Sequence, residues 1–316
     1  MSTNAIEPRV IFMGTPQFAV PSLRALVEGP YMLTVVTQPD RPAGRGGKLT
    51  PPPVKVAAEE LGLPIMQPPT LRDPGFRERL EELRPEVTVL VAYGEYLAPS
   101  LLDLPRRGSI NLHPSLLPRW RGSTPIQSAI LAGDTVTGVS IIRMDKGLDT
   151  GDILAQNSVP IEPDETYPHL STRLAEVGAA LLAETLPLWL RDEITPVPQD
   201  EERATLTHNL RKEDGLIDWK LPAEEITRRV RALQPWPGTF TYWQGRLLKV
   251  LDAHVAEPIA SEPLPPGTVA TQAGQLLVWT GNGLLDINSA QFEGKPPTEA
   301  RPLLSGYPQL VGSVLG

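Results

Sequence analysis

Between Arg9 and Leu112 the chain carries four short apolar runs, Arg9 to Met13, Leu33 to Thr37, Val87 to Ala92 and Ser109 to Leu112, rich in Val and Ile and lacking the alternation of a strand with one wet face. Continuous apolarity means burial on both faces, which is the mark of a parallel sheet sandwiched by its own crossover helices. Helical stretches at Val54 to Leu61 and Gly75 to Leu83 fall between the runs, as such crossovers must. After the first run, Gly14 is followed by Thr15 as a helix cap and Pro16 at the first helical position. Further strands are expected at Gly138 to Met144 and Ile153 to Ile161. A long helix follows at Tyr167 to Leu190, with Leu170, Leu174, Val177, Leu181 and Leu188 on one face and Pro187 bending or ending its last turn.

The texture then changes. Arg191 to Arg203 is polar and broken by prolines, as a linker is. Beyond it come a helix near Ala223 to Leu233 and short β-like runs at Thr239 to Trp243, Arg246 to Leu251, Gly267 to Thr271, Gln275 to Thr280 and Leu284 to Gln291. Close-set short strands suggest a small barrel, for which an oligonucleotide-binding barrel is one candidate. A length of 316 residues suits two domains. The expected division is a mostly parallel α/β domain at 1–190, a linker at 191–206 and a β-barrel domain at 207–316.

Composition narrows the chemistry. The chain has no cysteine and four histidines, which excludes disulfides, thiolate metal sites and a cysteine nucleophile, and no metal is expected. No apolar run is long enough to span a bilayer, and Met1 to Arg9 lacks the layout of an export signal, so a cytoplasmic protein without membrane contact is expected. A net charge of -8 argues against indiscriminate coating of nucleic acid but leaves room for a local basic patch. No heptad pattern calls for a partner chain, and a monomer is expected.

In an open α/β sheet, ligands bind beyond the carboxyl ends of the strands. Three segments fall there: Asn111-Leu-His113-Pro-Ser115-Leu-Leu-Pro118-Arg-Trp-Arg121-Gly122, the loop Leu148-Asp149-Thr150-Gly151-Asp152, and the loop Asp40 to Pro53. Asn111 and His113, two apart on an extended segment, share a side. Together with Asp149 they would suit acyl transfer to an amine. Asn111 can donate to a tetrahedral oxyanion, His113 can relay a proton, and Asp149 can orient the imidazole. An α-amino group is partly neutral near its ordinary pKa of about 8, so no activated side-chain nucleophile is needed. Taken singly, each residue also has an ordinary reading as a turn former or a satisfied structural group.

The string His-Pro-Ser-Leu-Leu-Pro-Arg-Trp-Arg-Gly from His113, followed by Pro125 and by Met144-Asp-Lys-Gly-Leu-Asp149-Thr-Gly-Asp152, resembles the folate-dependent formyltransferase family. The opening from Phe12 to Pro21, the Gln38 to Gly46 loop and the Lys212 to Trp219 segment are similar to the members of that family that act on methionyl-tRNA. The resemblance implies a Rossmann-like catalytic domain joined to an oligonucleotide-binding-like β-barrel that helps hold tRNA. It implies 10-formyltetrahydrofolate as formyl donor and initiator methionyl-tRNA as acceptor. The catalytic set falls on Asn111, His113 and Asp149, and the folate-binding stretch on Ser115, Leu116, Leu117 and Pro118. The loop with Arg41, Arg45 and Lys48 looks like the family's basic insertion, which contacts the acceptor end of tRNA. Glu95-Tyr96 departs from the aliphatic residues usual after Ala92-Tyr93-Gly94.

Competing readings fare worse. A phosphate-cradling P-loop at 42–49 fails because Pro42 stands for the first glycine and Leu49 follows Lys48. A nicotinamide site fails because Gly14-Thr-Pro-Gln is not a Gly-x-Gly-x-x-Gly turn. A formyltransferase acting on an amino sugar nucleotide would share the catalytic trio, and a non-catalytic tRNA-binding protein would not require it.

Overall fold

The computed structural model of the protein describes residues 7–43, 47–260 and 262–316. Contacts divide the chain into two compact units, 1–125 with 136–160 and 171–207, and 126–135 with 161–170 and 208–316. In chain order the first half contains β1 (Arg9–Gly14), α1 (Val20–Val27), β2 (Met32–Val36), β3 (Arg41–Ala43), β4 (Lys48–Thr50), α2 (Pro53–Glu60) and β5 (Ile65–Met66). There follow α3 (Pro74–Leu83), β6 (Val87–Val91), α4 (Pro99–Leu102), β7 (Ser109–His113), α5 (Pro125–Ala132), β8 (Val136–Arg143), β9 (Ile153–Pro160) and α6 (Tyr167–Leu190).

Seven strands form the sheet of the first unit in the order β5-β2-β1-β6-β7-β8-β9. Neighbours from β5 to β7 are parallel, and β8 and β9 continue it antiparallel. Every residue of β6 and β7 is buried, which is why these segments read as unbroken apolar runs. One face of the sheet, with Ile11, Met13 and Leu90, packs on Phe76 and Leu80 of α3 and Leu101 of α4.

Leu112, between Asn111 and His113, faces α6. Gly178 permits that approach, since a Cβ there would lie 2.7 Å from Leu112 Cδ2. Gly178→Val is therefore expected to destabilise the fold by about 1–3 kcal/mol, as overpacking does. An unchanged denaturant midpoint would show that the helix can simply shift away.

One local expectation is corrected. Thr15 does not cap the first helix; its hydroxyl donates to Tyr93 O at 2.8 Å, and the chain makes a 3-10 turn at Gln17–Ala19 before α1 begins. α6 runs from Tyr167 to Leu190, the bounds expected, with Pro187 inside its last turn. In the last turn, the proline's missing N–H removes only one intrahelical bond. The segment 191–206, with the polarity of a linker, is hydrogen-bonded into the first unit. Ile153 and Val197 exchange two backbone bonds of 2.8 and 2.9 Å, and Arg121 N–H donates to Thr205 O at 2.9 Å.

The second unit contains α7 (Ala223–Ala232), β10 (Thr239–Trp243), β11 (Arg246–Ala256), β12 (Val269–Gln272), β13 (Gln275–Trp279), β14 (Leu284–Phe292), β15 (Thr298–Glu299) and α8 (Ala300–Gly306). Its antiparallel sheet runs β10-β11-β14-β13-β12, with β15 on β14. Residues 312–316 lie between the two outer strands: Gly312 N–H donates to Val269 O, Leu315 N–H to Gly267 O and Gly316 N–H to Tyr242 O. The sheet thereby closes on itself, and its inner face, with Val250, Val278, Leu285 and Ile287, buries Ile226 and Val230 of α7. Glu224, Glu225, Arg228, Arg229 and Arg231 alternate with these and with the buried Ala223, Thr227 and Ala232, giving α7 an amphipathic pattern. Trp219, at the end of the Lys212 to Trp219 segment, is buried and donates to Thr241 Oγ1 at 3.1 Å. β11 runs past the expected end at Leu251 because irregular register around Asp252 breaks its alternation. Among the described residues, no helix is long and apolar enough to cross a membrane.

Candidate active site

β7 delivers Asn111 and His113 to the carboxyl end of the sheet, both almost fully buried. Their side chains line a cleft of about 480 Å³ that also takes in Leu90, Tyr93, Leu97, Ile142 and Asp149. A volume of that order suits a small-molecule ligand. Burial raises the Tyr93 phenol far above its ordinary range, and the nearby Glu95 adds to this, so the wall there stays neutral.

Asp149 reaches the cleft from the loop between β8 and β9, in the left-handed region at φ +54°. Asp tolerates that region better than most residues. Its carboxylate accepts from Gly122 N–H at 2.8 Å through Oδ2 and from Asn111 Nδ2 at 3.4 Å through Oδ1. Gly122 has φ +116°, and a Cβ there would run into Thr207 Oγ1, so only glycine brings its N–H so close. His113 Nδ1 lies 3.6 Å from Asp149 Oδ2, too far for a hydrogen bond. The other ring nitrogen, Nε2, is 2.9 Å from Trp120 O. A carbonyl only accepts, so Nε2 must carry the hydrogen, and Nδ1 is left facing Asp149 to take or give a proton.

The trio expected from the sequence thus meets in one place, drawn from one strand and one loop. The four residues of the expected folate stretch follow His113 and Pro114 directly in the chain. Ser115, Leu116, Leu117 and Pro118 are not among the residues lining this cleft. They form a turn behind it, where Ser115 Oγ donates to Arg119 O at 2.6 Å, Ser140 Oγ donates to Ser115 O at 2.6 Å, and Gln156 Nε2 donates to Leu117 O at 2.9 Å. Trp120, whose carbonyl meets His113, follows this turn directly, and its N–H donates to Thr205 Oγ1 at 2.8 Å.

In the Asp40 to Pro53 loop, β3 and β4 pair as a short hairpin with Arg41 opposite Thr50 and Ala43 opposite Lys48. Arg41 and Lys48 are exposed on it, and Arg45 lies outside the described residues. Its base is anchored: Gln67 and Lys55 bond to the Asp40 carboxylate and hold its pKa below the usual range. Gln38 Nε2, just before it, donates to Tyr93 O at 3.0 Å in the cleft wall. The departure at Glu95-Tyr96 forms part of the cleft lip, where Tyr96 Oη donates to Lys146 O at 3.2 Å and the ring is mostly exposed.

Arg121 stands in the Asn111 to Gly122 segment with no sequence sign of its structural role. It is buried, paired through Nη1 and Nη2 with both oxygens of Glu201 at 2.9 and 2.7 Å. The hydrogen bond from Arg121 holds the Glu201 carboxyl below its usual range, and the same bond raises the guanidinium. Only tertiary structure reveals this partner 80 residues away.

Family comparison agrees with the architecture. Residues 8–186 match the formyl transferase family, and residues 209–308 its C-terminal domain. The methionyl-tRNA formyltransferase of Chloroflexus aggregans is 49% identical over 94% of this chain and 97% of its own length. That of Myxococcus xanthus is 46% identical over 97% of each chain. In shape, the chain is similar to the N-formyltransferase from Helicobacter canadensis, solved with folinic acid and dTDP-3-aminofucose: TM-score 0.68 and 17% identity, covering 91% of this chain and all of that one. Two family matches spanning both halves, and identity near one half along almost the entire length, make this chain a member of the formyl transferase family.

Proposed function

We propose that the chain transfers the formyl group of 10-formyltetrahydrofolate to the free amino group of initiator methionyl-tRNA, giving the N-formylmethionyl-tRNA used to begin translation. The reading places it in the cytoplasm, acting as a monomer. The observation that carries it is the convergence of Asn111, His113 and Asp149 at one cleft in a chain so similar to methionyl-tRNA formyltransferases.

The buried wall of Leu90, Tyr93, Leu97 and Ile142 offers an apolar bed for the pterin ring of the donor. The methionyl amine attacks the formyl carbon, forming a C–N bond and a tetrahedral oxyanion. One hydrogen of the Asn111 amide is directed at Asp149, and the other meets that oxyanion. His113 Nδ1 takes the proton released by the attacking amine, and the carboxylate of Asp149 stabilises the imidazolium. The oxyanion collapses, the bond from carbon to N10 breaks, and N10 receives the proton held on His113 as tetrahydrofolate leaves, which restores the neutral imidazole.

Incubation with labelled formyl donor and methionyl-tRNA, a 4-amino sugar nucleotide or glycinamide ribonucleotide tests the reading. Label on the methionyl amine is expected, and label on the sugar nucleotide alone would overturn it.

Arg41, Arg45 and Lys48 guide the acceptor end of the tRNA towards the cleft. Replacing Arg41 and Arg45 by Ala is expected to weaken tRNA binding and to flatten the slope of log affinity against log salt by about 1 to 2. An unchanged slope would reject these phosphate contacts.

A further inference from the structure

We propose that Gln199 is a positioning residue that holds Asp149 in its working place through the backbone, an inference that rests on the formyl-transfer reading. Gln199 Nε2 donates to Asp149 O at 2.8 Å and to Gly151 O at 2.7 Å, so both amide hydrogens grip the loop that carries the carboxylate. Its Oε1 accepts from Arg121 Nε at 3.1 Å and Nη2 at 2.9 Å. The amide cannot turn over. A flipped group would set oxygen against two carbonyls and an NH2 against a guanidinium, where every contact is repulsive.

Arg121 is itself immobilised by Glu201, and its chain neighbour Gly122 donates to the Asp149 carboxylate. Asp149 is therefore held at both ends, by Gly122 at the side chain and by Gln199 at the main chain, and one guanidinium sets both holders. Such a brace is needed because Asp149 sits in the left-handed region, on a loop whose neighbour Leu148 is largely exposed. Without Gln199, the Asp149 and Gly151 carbonyls lose their donor and the loop relaxes. The carboxylate then leaves its place between Asn111 and His113, and a displacement near 1 Å is enough to slow a positioned reaction.

Gln199→Met keeps the length and removes every hydrogen bond. Gln199→Glu keeps the acceptor for Arg121 but turns an oxygen on the two carbonyls. Both are expected to lower kcat by about 30- to 100-fold, with KM for either substrate within about threefold of wild type. In an Asp149→Asn background, Gln199→Met is expected to cost less than about threefold more, because both changes remove one function. A role confined to supporting Arg121 predicts otherwise: Gln199→Glu would remain active, and the losses would multiply in the double variant. Either result overturns the proposal. A wild-type chain that transfers no formyl group overturns the functional reading instead, and a crystal structure of Gln199→Met then decides the positioning. An Asp149 carboxylate displaced by about 1 Å or more supports it, and an unmoved one overturns it.

Discussion

Asn111→Ala is expected to lower kcat by about two to three orders of magnitude while leaving tRNA affinity nearly unchanged. The magnitude is that of losing one donor from an oxyanion hole, where a preorganised N–H meets charge that exists only in the transition state. The binding term stays small because the ground-state formyl group is neutral and asks little of the amide. Asn111 is almost fully buried on β7, with one side of its amide held by Asp149, so its direction is set before substrate arrives. Single-turnover kinetics beside tRNA binding separate the two terms. A loss confined to binding would remove Asn111 from the oxyanion role.

The second large effect belongs to Asp149→Asn, which keeps shape and removes charge. Its oxygen can still accept from Gly122, and Asn tolerates the left-handed backbone, so the unfolding midpoint is expected to stay close to wild type. Turnover is expected to fall by about three to four orders of magnitude, the scale seen when the carboxylate behind a catalytic imidazole becomes an amide. With its oxygen kept on Gly122, and so still facing His113 Nδ1, the new NH2 meets the Asn111 amide in place of an acceptor, and the imidazolium loses the charge beside it. Full activity in Asp149→Asn would mean that the proton leaves by another route.

How much of this was legible in the sequence depends on where each signal lives. β6 and β7 were readable because burial on both faces leaves an unbroken apolar run, and Asn111 and His113 were readable as a pair because a strand repeats every two residues. Asp149 stood out through the family-like motif around it. Gln199 and Glu201 left no such trace. They lie in a polar, proline-broken stretch whose composition is that of any exposed connection, and their partners lie 48 to 80 residues away. The β3/β4 hairpin was equally hidden, since three-residue strands carry too little pattern to distinguish them from a loop. Ser115 to Pro118 read as a folate segment by resemblance alone, and the hydrogen bonds that place them run to β8 and β9 and to the turn itself, partners that no local pattern announces.

The most direct test is a crystal structure with a formyl-bearing folate analogue bound. The formyl oxygen should lie within about 3 Å of Asn111 Nδ2, with its carbon open to an amine arriving beside His113. A formyl group lodged against Ser115 to Pro118, out of reach of the Asn111 amide, would contradict the account.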